Sequence, residues 1–126
     1  ITITPSVYNF PGPPSGSFIC STSPQTLNVT IRPRPVATAN AVESTICNGS
    51  SANIQVTGNI TDANMSFSWT RNNTSNVSGA NSGTSGNISP GGTFTITNNL
   101  TNNTSSVQNV TFTITPSSNG CTGSPV

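Results

Sequence analysis

Few side chains in this sequence can do chemistry. There are three cysteines (Cys20, Cys47 and Cys121), two carboxylates (Glu43 and Asp62) and three arginines (Arg32, Arg34 and Arg71). Histidine and lysine are absent. General acid–base catalysis needs a titratable group held beside a partner, and an activated nucleophile needs a base next to it. With two carboxylates and no His or Lys, neither arrangement can be assembled, so the chain is read as no enzyme and as needing no cofactor. Either carboxylate, joined by Asn and carbonyl oxygens, would make only a weak Ca²⁺ site, so no metal site is assigned. A Lys–Asn isopeptide cross-link is excluded with the lysines.

Asparagine in Asn-x-Ser/Thr context is abundant. Sequons begin at Asn28, Asn48, Asn59, Asn64, Asn72, Asn73, Asn76, Asn87, Asn99, Asn102, Asn103 and Asn109. Asn28, Asn48, Asn59, Asn72, Asn99 and Asn109 are the glycosylation candidates, and a glycan coat is one function of such a sequence. The alternative is a Thr/Asn-rich chain from an organism that does not use the sequon.

Composition narrows the partners. Only 4% of residues are charged and the net charge is +1, against roughly 25% charged residues in ordinary globular domains. Such a chain lacks the field that steers proteins to nucleic acid or to an anionic membrane. No stretch approaches the roughly 18 apolar residues that span a bilayer. There is no initiator Met and no signal peptide, and Ile1 already lies inside a strand pattern, which fits processing or a segment of a longer chain.

The elements that position these residues show a period of two. Leu27, Val29 and Ile31 alternate with Asn28 and Thr30; Ile54 and Val56 with Asn53, Gln55 and Thr57; Met65, Phe67 and Trp69 with Ser66, Ser68 and Thr70. Phe94 and Ile96 alternate with Thr93, Thr95 and Thr97, and Val110, Phe112 and Ile114 with Thr111, Thr113 and Thr115. One face of each run is apolar and the other carries hydroxyls, the pattern of half-buried strands. The alternation predicts an all-β antiparallel sandwich, with Trp69, Phe67, Phe94, Ile96, Phe112 and Ile114 in its core. If the two Thr rows lie on paired strands, they form a flat hydroxyl lattice able to bind ice or glycan.

Two stretches repeat. Thr2-Ile3-Thr4-Pro5-Ser6 and Thr113-Ile114-Thr115-Pro116-Ser117 match at an offset of 111, and Cys20-Ser21-Thr22-Ser23-Pro24 and Cys121-Thr122-Gly123-Ser124-Pro125 match at 101. The spacing is that of a sandwich module. The chain therefore looks like a window in a tandem array, with a stiff linker at Arg32-Pro33-Arg34-Pro35. Residues 1–34 are expected to hold the C-terminal strands of a preceding repeat, or a donor segment, and residues 35–126 a sandwich lacking its last strand. Leu27, Val29 and Ile31 would be the strand that completes a neighbouring module, through covalent continuity or donor-strand complementation. In this frame Cys20 belongs to the preceding repeat, with its partner upstream. Disulfide-stapled modules would imply an oxidising compartment, the cell surface or medium.

The set Thr45-Ile46-Cys47-Asn48-Gly49-Ser50, Phe67-Ser68-Trp69-Thr70, Phe112-Thr113-Ile114-Thr115-Pro116 and Asn119-Gly120-Cys121-Thr122-Gly123-Ser124-Pro125 resembles the PKD-like repeats. These are immunoglobulin-like sandwiches strung together in giant surface and secreted proteins of Bacteroidetes-type bacteria. The resemblance covers about residues 36–126, and residues 1–34 look like the tail of the same repeat. It departs after Trp69, where Thr70-Arg71-Asn72-Asn73 replaces an acidic, glycine-rich turn, and in the extra residues between Val7 and Ser17. It implies a Cys47–Cys121 disulfide. A loop of 121 − 47 = 74 residues closed in this way would gain roughly 4 kcal/mol in the chain-entropy model.

The function expected is a structural repeat unit of an extracellular filament or cell-surface adhesin stalk, joined end to end with neighbouring copies. The alternative is a carbohydrate- or ice-binding surface module. Arg32 and Arg34 each precede proline, which hinders trypsin-like cleavage, and Arg71 is the remaining tryptic site.

Overall fold

Polar residues, mostly Ser, Thr and Asn, alternate with apolar ones along the main strands, so these strands have one face that gains by leaving water. The computed structural model describes residues 1–4 and 23–126. The chain divides into two compact units, Ile1–Ile31 and Arg32–Val126. The expectation for Cys20 lies outside the described residues.

In the first unit, β1 (Thr2–Ile3) pairs antiparallel with β2 (Gln25–Thr26). Ile1 and Leu27 extend the ladder by exchanging both backbone bonds, at 3.1 and 3.2 Å. The ladder stops where β1 stops, so Val29 and Ile31 lie outside any strand, shorter than the alternation predicts. Leu27, Val29 and Ile31 are 59%, 63% and 90% exposed.

The second unit contains β3 (Ala37–Ala41), β4 (Ser51–Gly58), β5 (Ser66–Arg71), β6 (Val77–Ser78), β7 (Ser82–Thr84), β8 (Thr93–Asn99), β9 (Thr101–Asn102), β10 (Phe112–Ser118) and β11 (Cys121–Thr122). One sheet has the order β11-β10-β5-β7, a second β3-β4-β8, and β6 pairs with β9. All pairings are antiparallel. The described residues contain strands and turns and no helix. The fold is the all-β antiparallel sandwich that the alternation predicts.

The two sheets bury one core. Ala37, Ile54, Val56 and Ile96 come from the three-stranded sheet, Phe67, Trp69 and Ile114 from the four-stranded one, and Ile60 and Met65 from the connection between β4 and β5. Phe94 and Phe112 are half-buried against it. Phe67 stacks on Phe94 with ring centroids 6.5 Å apart, and Trp69 meets Phe112 at 5.5 Å, both within the range of favourable aromatic pairs.

The sandwich has two poles. At the proximal pole the chain arrives through Pro35 and Val36 beside Asn59, and the β10–β11 hairpin turns at Asn119-Gly120. Both turn residues have positive φ, 48° and 79°, the type I′ geometry that matches strand twist. At the distal pole lie the Cys47–Ser50 turn, Arg71, Val77 and Leu100. β4 connects the poles, its eight residues spanning about 26 Å.

Candidate functional site

The proximal pole is built by an asparagine. Asn59 Oδ1 accepts the Val36 N–H at 2.7 Å, its Nδ2 donates to the Arg34 carbonyl at 3.2 Å, and its own N–H donates to the Val36 carbonyl at 3.1 Å. Three bonds thus clamp the proline-rich linker to the end of β4. Gly123 completes the clamp: a Cβ there would lie 1.9 Å from the Pro35 carbonyl oxygen. Beside it runs an uncharged groove lined by Asn64, Ser66, Asn87, Ser117, Asn119 and Thr122. Ser66 and Ser117 share a 2.7 Å hydroxyl bond across its floor, and Ser118 Oγ donates to the Asn64 carbonyl.

The distal pole is built by a buried cation. Arg71 Nε donates to the Ala80 carbonyl (2.8 Å), Nη1 to Asn72 (3.2 Å), and Nη2 to Val77 (2.9 Å) and Gly79 (3.1 Å). Asn98 holds the same loop, accepting from the Ala80 N–H at 3.0 Å and donating to its carbonyl at 2.8 Å. The guanidinium fork suits several carbonyls held at once, and it spends its charge on the backbone. Sequence reasoning missed this role. The signal was there: Arg71 follows Phe67 and Trp69 at the same parity, so it points inward.

Neither pole carries catalytic geometry. Glu43 is exposed beyond β3 at the distal end, and Asp62 is exposed near the proximal pole, so the structure keeps the carboxylates apart. Among the described residues no group of three or more His, Cys, Asp or Glu side chains converges, and no helix is long and apolar enough to cross a membrane.

The expected Cys47–Cys121 bridge is absent, and both thiols are free. The reason is topological. Cys47 opens the distal turn, where the Ser50 N–H bonds its carbonyl, while Cys121 directly follows the proximal turn, opposite Ser118. A disulfide needs Cα atoms within about 7 Å, far less than the length of β4.

The two Thr rows do not pair. Thr93, Thr95 and Thr97 on β8 face β4, whereas Thr113 and Thr115 on β10 face β5, in the other sheet. Each sheet therefore has its own hydroxyl face. On the four-stranded sheet, Ser66, Ser68 and Thr70 stand opposite Ser117, Thr115 and Thr113.

The sequon asparagines divide into two sets. Asn48 bridges the Asn102 backbone in both directions (2.7 and 3.3 Å), Asn59 clamps the linker, Asn72 Oδ1 accepts the Thr111 N–H at 2.7 Å, and Asn99 Oδ1 accepts from Ser51 Oγ. These amides serve the fold. All six asparagines are exposed; what distinguishes Asn28 and Asn109 is that their side-chain amides make no hydrogen bond to the described residues, Asn109 being engaged only through its backbone carbonyl.

The edge of β10 carries the relation between the two units. Ile114 and Val126 exchange both backbone bonds, at 2.8 and 2.9 Å, and Gly123 N–H donates to the Pro116 carbonyl at 2.8 Å. Subtracting the repeat offsets, 114 − 111 = 3 and 126 − 101 = 25, gives Ile3 and Gln25, which are paired in the first unit. The hairpin thus recurs in the same register. One step further, 112 − 111 = 1 gives Ile1, the partner of Leu27. Antiparallel alternation aims the Phe112 N–H and C=O the same way as those of Ile114, and among the described residues no backbone partner reaches them.

A search of curated proteins and a search of solved structures each return no match for this chain. A family model described as PKD-like domain matches residues 44–126, well over half of the chain. Such domains are generally non-catalytic structural modules of extracellular and surface proteins. The match spans the distal turn, the inward Phe67-Trp69-Arg71 face and the whole β10–β11 edge: the chain belongs to the PKD-like domain family.

Proposed function

We propose that this chain is a structural repeat unit of an extracellular filament or cell-surface adhesin stalk, joined end to end with neighbouring copies. The observation that carries the reading is the path of the chain. It arrives at the proximal pole through a clamped proline linker, and its last residues run along β10 toward the distal pole. A module whose two ends lie at opposite poles extends an array; one whose ends lie together folds it back. The in-register recurrence of the hairpin supports the same reading. Leu27, Val29 and Ile31 then represent the strand type that continues past Val126, opposite Phe112 and Val110.

The test is to extend the chain after Val126 with Thr-Leu-Asn-Val-Thr-Ile, the sequence of residues 26–31. Pairing the Phe112 edge and burying two or three apolar side chains at about 1.5 kcal/mol or more each should raise Tm by more than about 5 °C. The phase-shifted Leu-Thr-Val-Asn-Ile-Thr should not, because a one-residue slip turns the apolar set outward. Equal Tm for both extensions and the parent would remove the reading. Intact mass of the native material, denatured and reduced, then separates the two modes of joining: a very large mass means a covalent tandem chain, and 12.8 kDa means strand-exchanged subunits.

A second reading, carbohydrate or ice binding, is favoured by the uncharged hydroxyl face of the four-stranded sheet, where Thr113, Thr70 and Ser82 stand side by side across three strands. Glycan-array or ice-affinity binding lost on Thr111 and Thr113 substitution supports it, and no binding in either assay rejects it.

A further inference from the structure

We infer that the two free thiols of the described residues form a complementary pair between copies: Cys47 at the distal pole of one sandwich bonds Cys121 at the proximal pole of the next. This rests on the end-to-end reading and adds a covalent joint to it. Three features lead here. The thiols cannot meet within one sandwich, because β4 separates them. They mark opposite poles, and these are the poles at which the chain arrives and toward which it leaves, so head-to-tail stacking brings unlike thiols together. Each flanks a tight turn at the tip of the module. Cys47 is exposed at the first corner of the Cys47-Asn48-Gly49-Ser50 turn, and Cys121 is half-buried just after Asn119-Gly120. Turn tips are where two backbones of separate sandwiches can approach within disulfide range. The immediate neighbours are Asn, Gly, Ser and Thr, so no like charge opposes the contact.

A heterologous joint of this kind does not close on itself, and it propagates into a linear polymer. The oxidant is a small-molecule disulfide. The thiolate of Cys47 attacks one of its sulfurs and releases one small thiol. The thiolate of the neighbour's Cys121 then attacks the mixed disulfide and releases the second. Two electrons and two protons pass from the cysteines to the reagent, and one S–S bond replaces another.

The experiment uses the full chain carrying Cys20→Ser, incubated at high concentration with oxidised glutathione, quenched by alkylation and run without reductant. The expected result is a ladder at multiples of 12.8 kDa that collapses on reduction. Adding Cys47→Ser or Cys121→Ser should each abolish everything beyond a dimer. Mixing those two variants should restore a heterodimer in which Cys121 of one chain is joined to Cys47 of the other. Trypsin under denaturing conditions reads the joint, because Arg71 lies between the two cysteines in sequence. A monomer with its own halves linked, a statistical mixture of like and unlike dimers, or no product above monomer would each overturn the inference. The strand-extension test involves no thiol, so that reading can stand while this one fails.

Discussion

Gly83 stands directly opposite Trp69 across the β5–β7 ladder, and the missing side chain at 83 leaves room for the indole. A Cβ there would meet Nε1, Cε2 and Cζ2 at 2.8 to 2.9 Å. The ring is rigid and packed against Phe112, so it cannot yield. Gly83→Ala is therefore expected to cost about 1–3 kcal/mol by overpacking. Urea unfolding followed by Trp69 fluorescence measures it, and an unchanged midpoint would show that the strand edge gives way instead.

Arg71 closes the distal pole from inside, at 7% exposure. Arg71→Met removes the donors of four backbone carbonyls and should destabilise by about 3 kcal/mol or more. Arg71→Lys should recover only part of this, because an ammonium cannot span the fork. Native parent chain should resist trypsin, with two arginines before proline and the third buried. Cutting after Arg71 should track the population of open chain as urea is added. Rapid cleavage in buffer at full native signal would contradict the burial.

The linker clamp predicts a local effect. Asn59→Ala frees the Val36 N–H and the Arg34 carbonyl, and should cost about 1–2 kcal/mol. Gly123→Ala should displace Pro35 itself. Hydrogen exchange at Val36 and Ala37 should quicken in both variants while the β4–β8 ladder stays protected. Uniform loss of protection would mean that the linker is integral to global stability.

The sequon asparagines should separate on alanine substitution. Asn48→Ala breaks a two-way bridge to Asn102 and should cost about 1 kcal/mol. Asn109→Ala should stay within about 0.5 kcal/mol, as for an ordinary surface position. Thermal melts of the two variants decide the matter; equal losses would place Asn109 among the structural set.

Much was legible because period-two alternation is local. Phe67, Trp69, Ile96 and Ile114 were assigned inward by parity alone, and all four are buried. The recurrence of Thr-Ile-Thr-Pro marks two related segments in the sequence, whereas their shared hairpin register, Ile3 with Gln25 and Ile114 with Val126, belongs to the folded chain. Pole assignment was beyond that reach. Parity says which face a side chain takes, but it does not say at which end of the sandwich a turn falls, because that depends on which strands pair and in which direction. So Cys47 and Cys121, partners by the family resemblance, stand at opposite poles, and the Thr rows of β8 and β10, one lattice only if their strands pair, belong to two sheets. Side-chain pattern fixes in and out residue by residue; strand order and direction arise only when the whole core is buried at once.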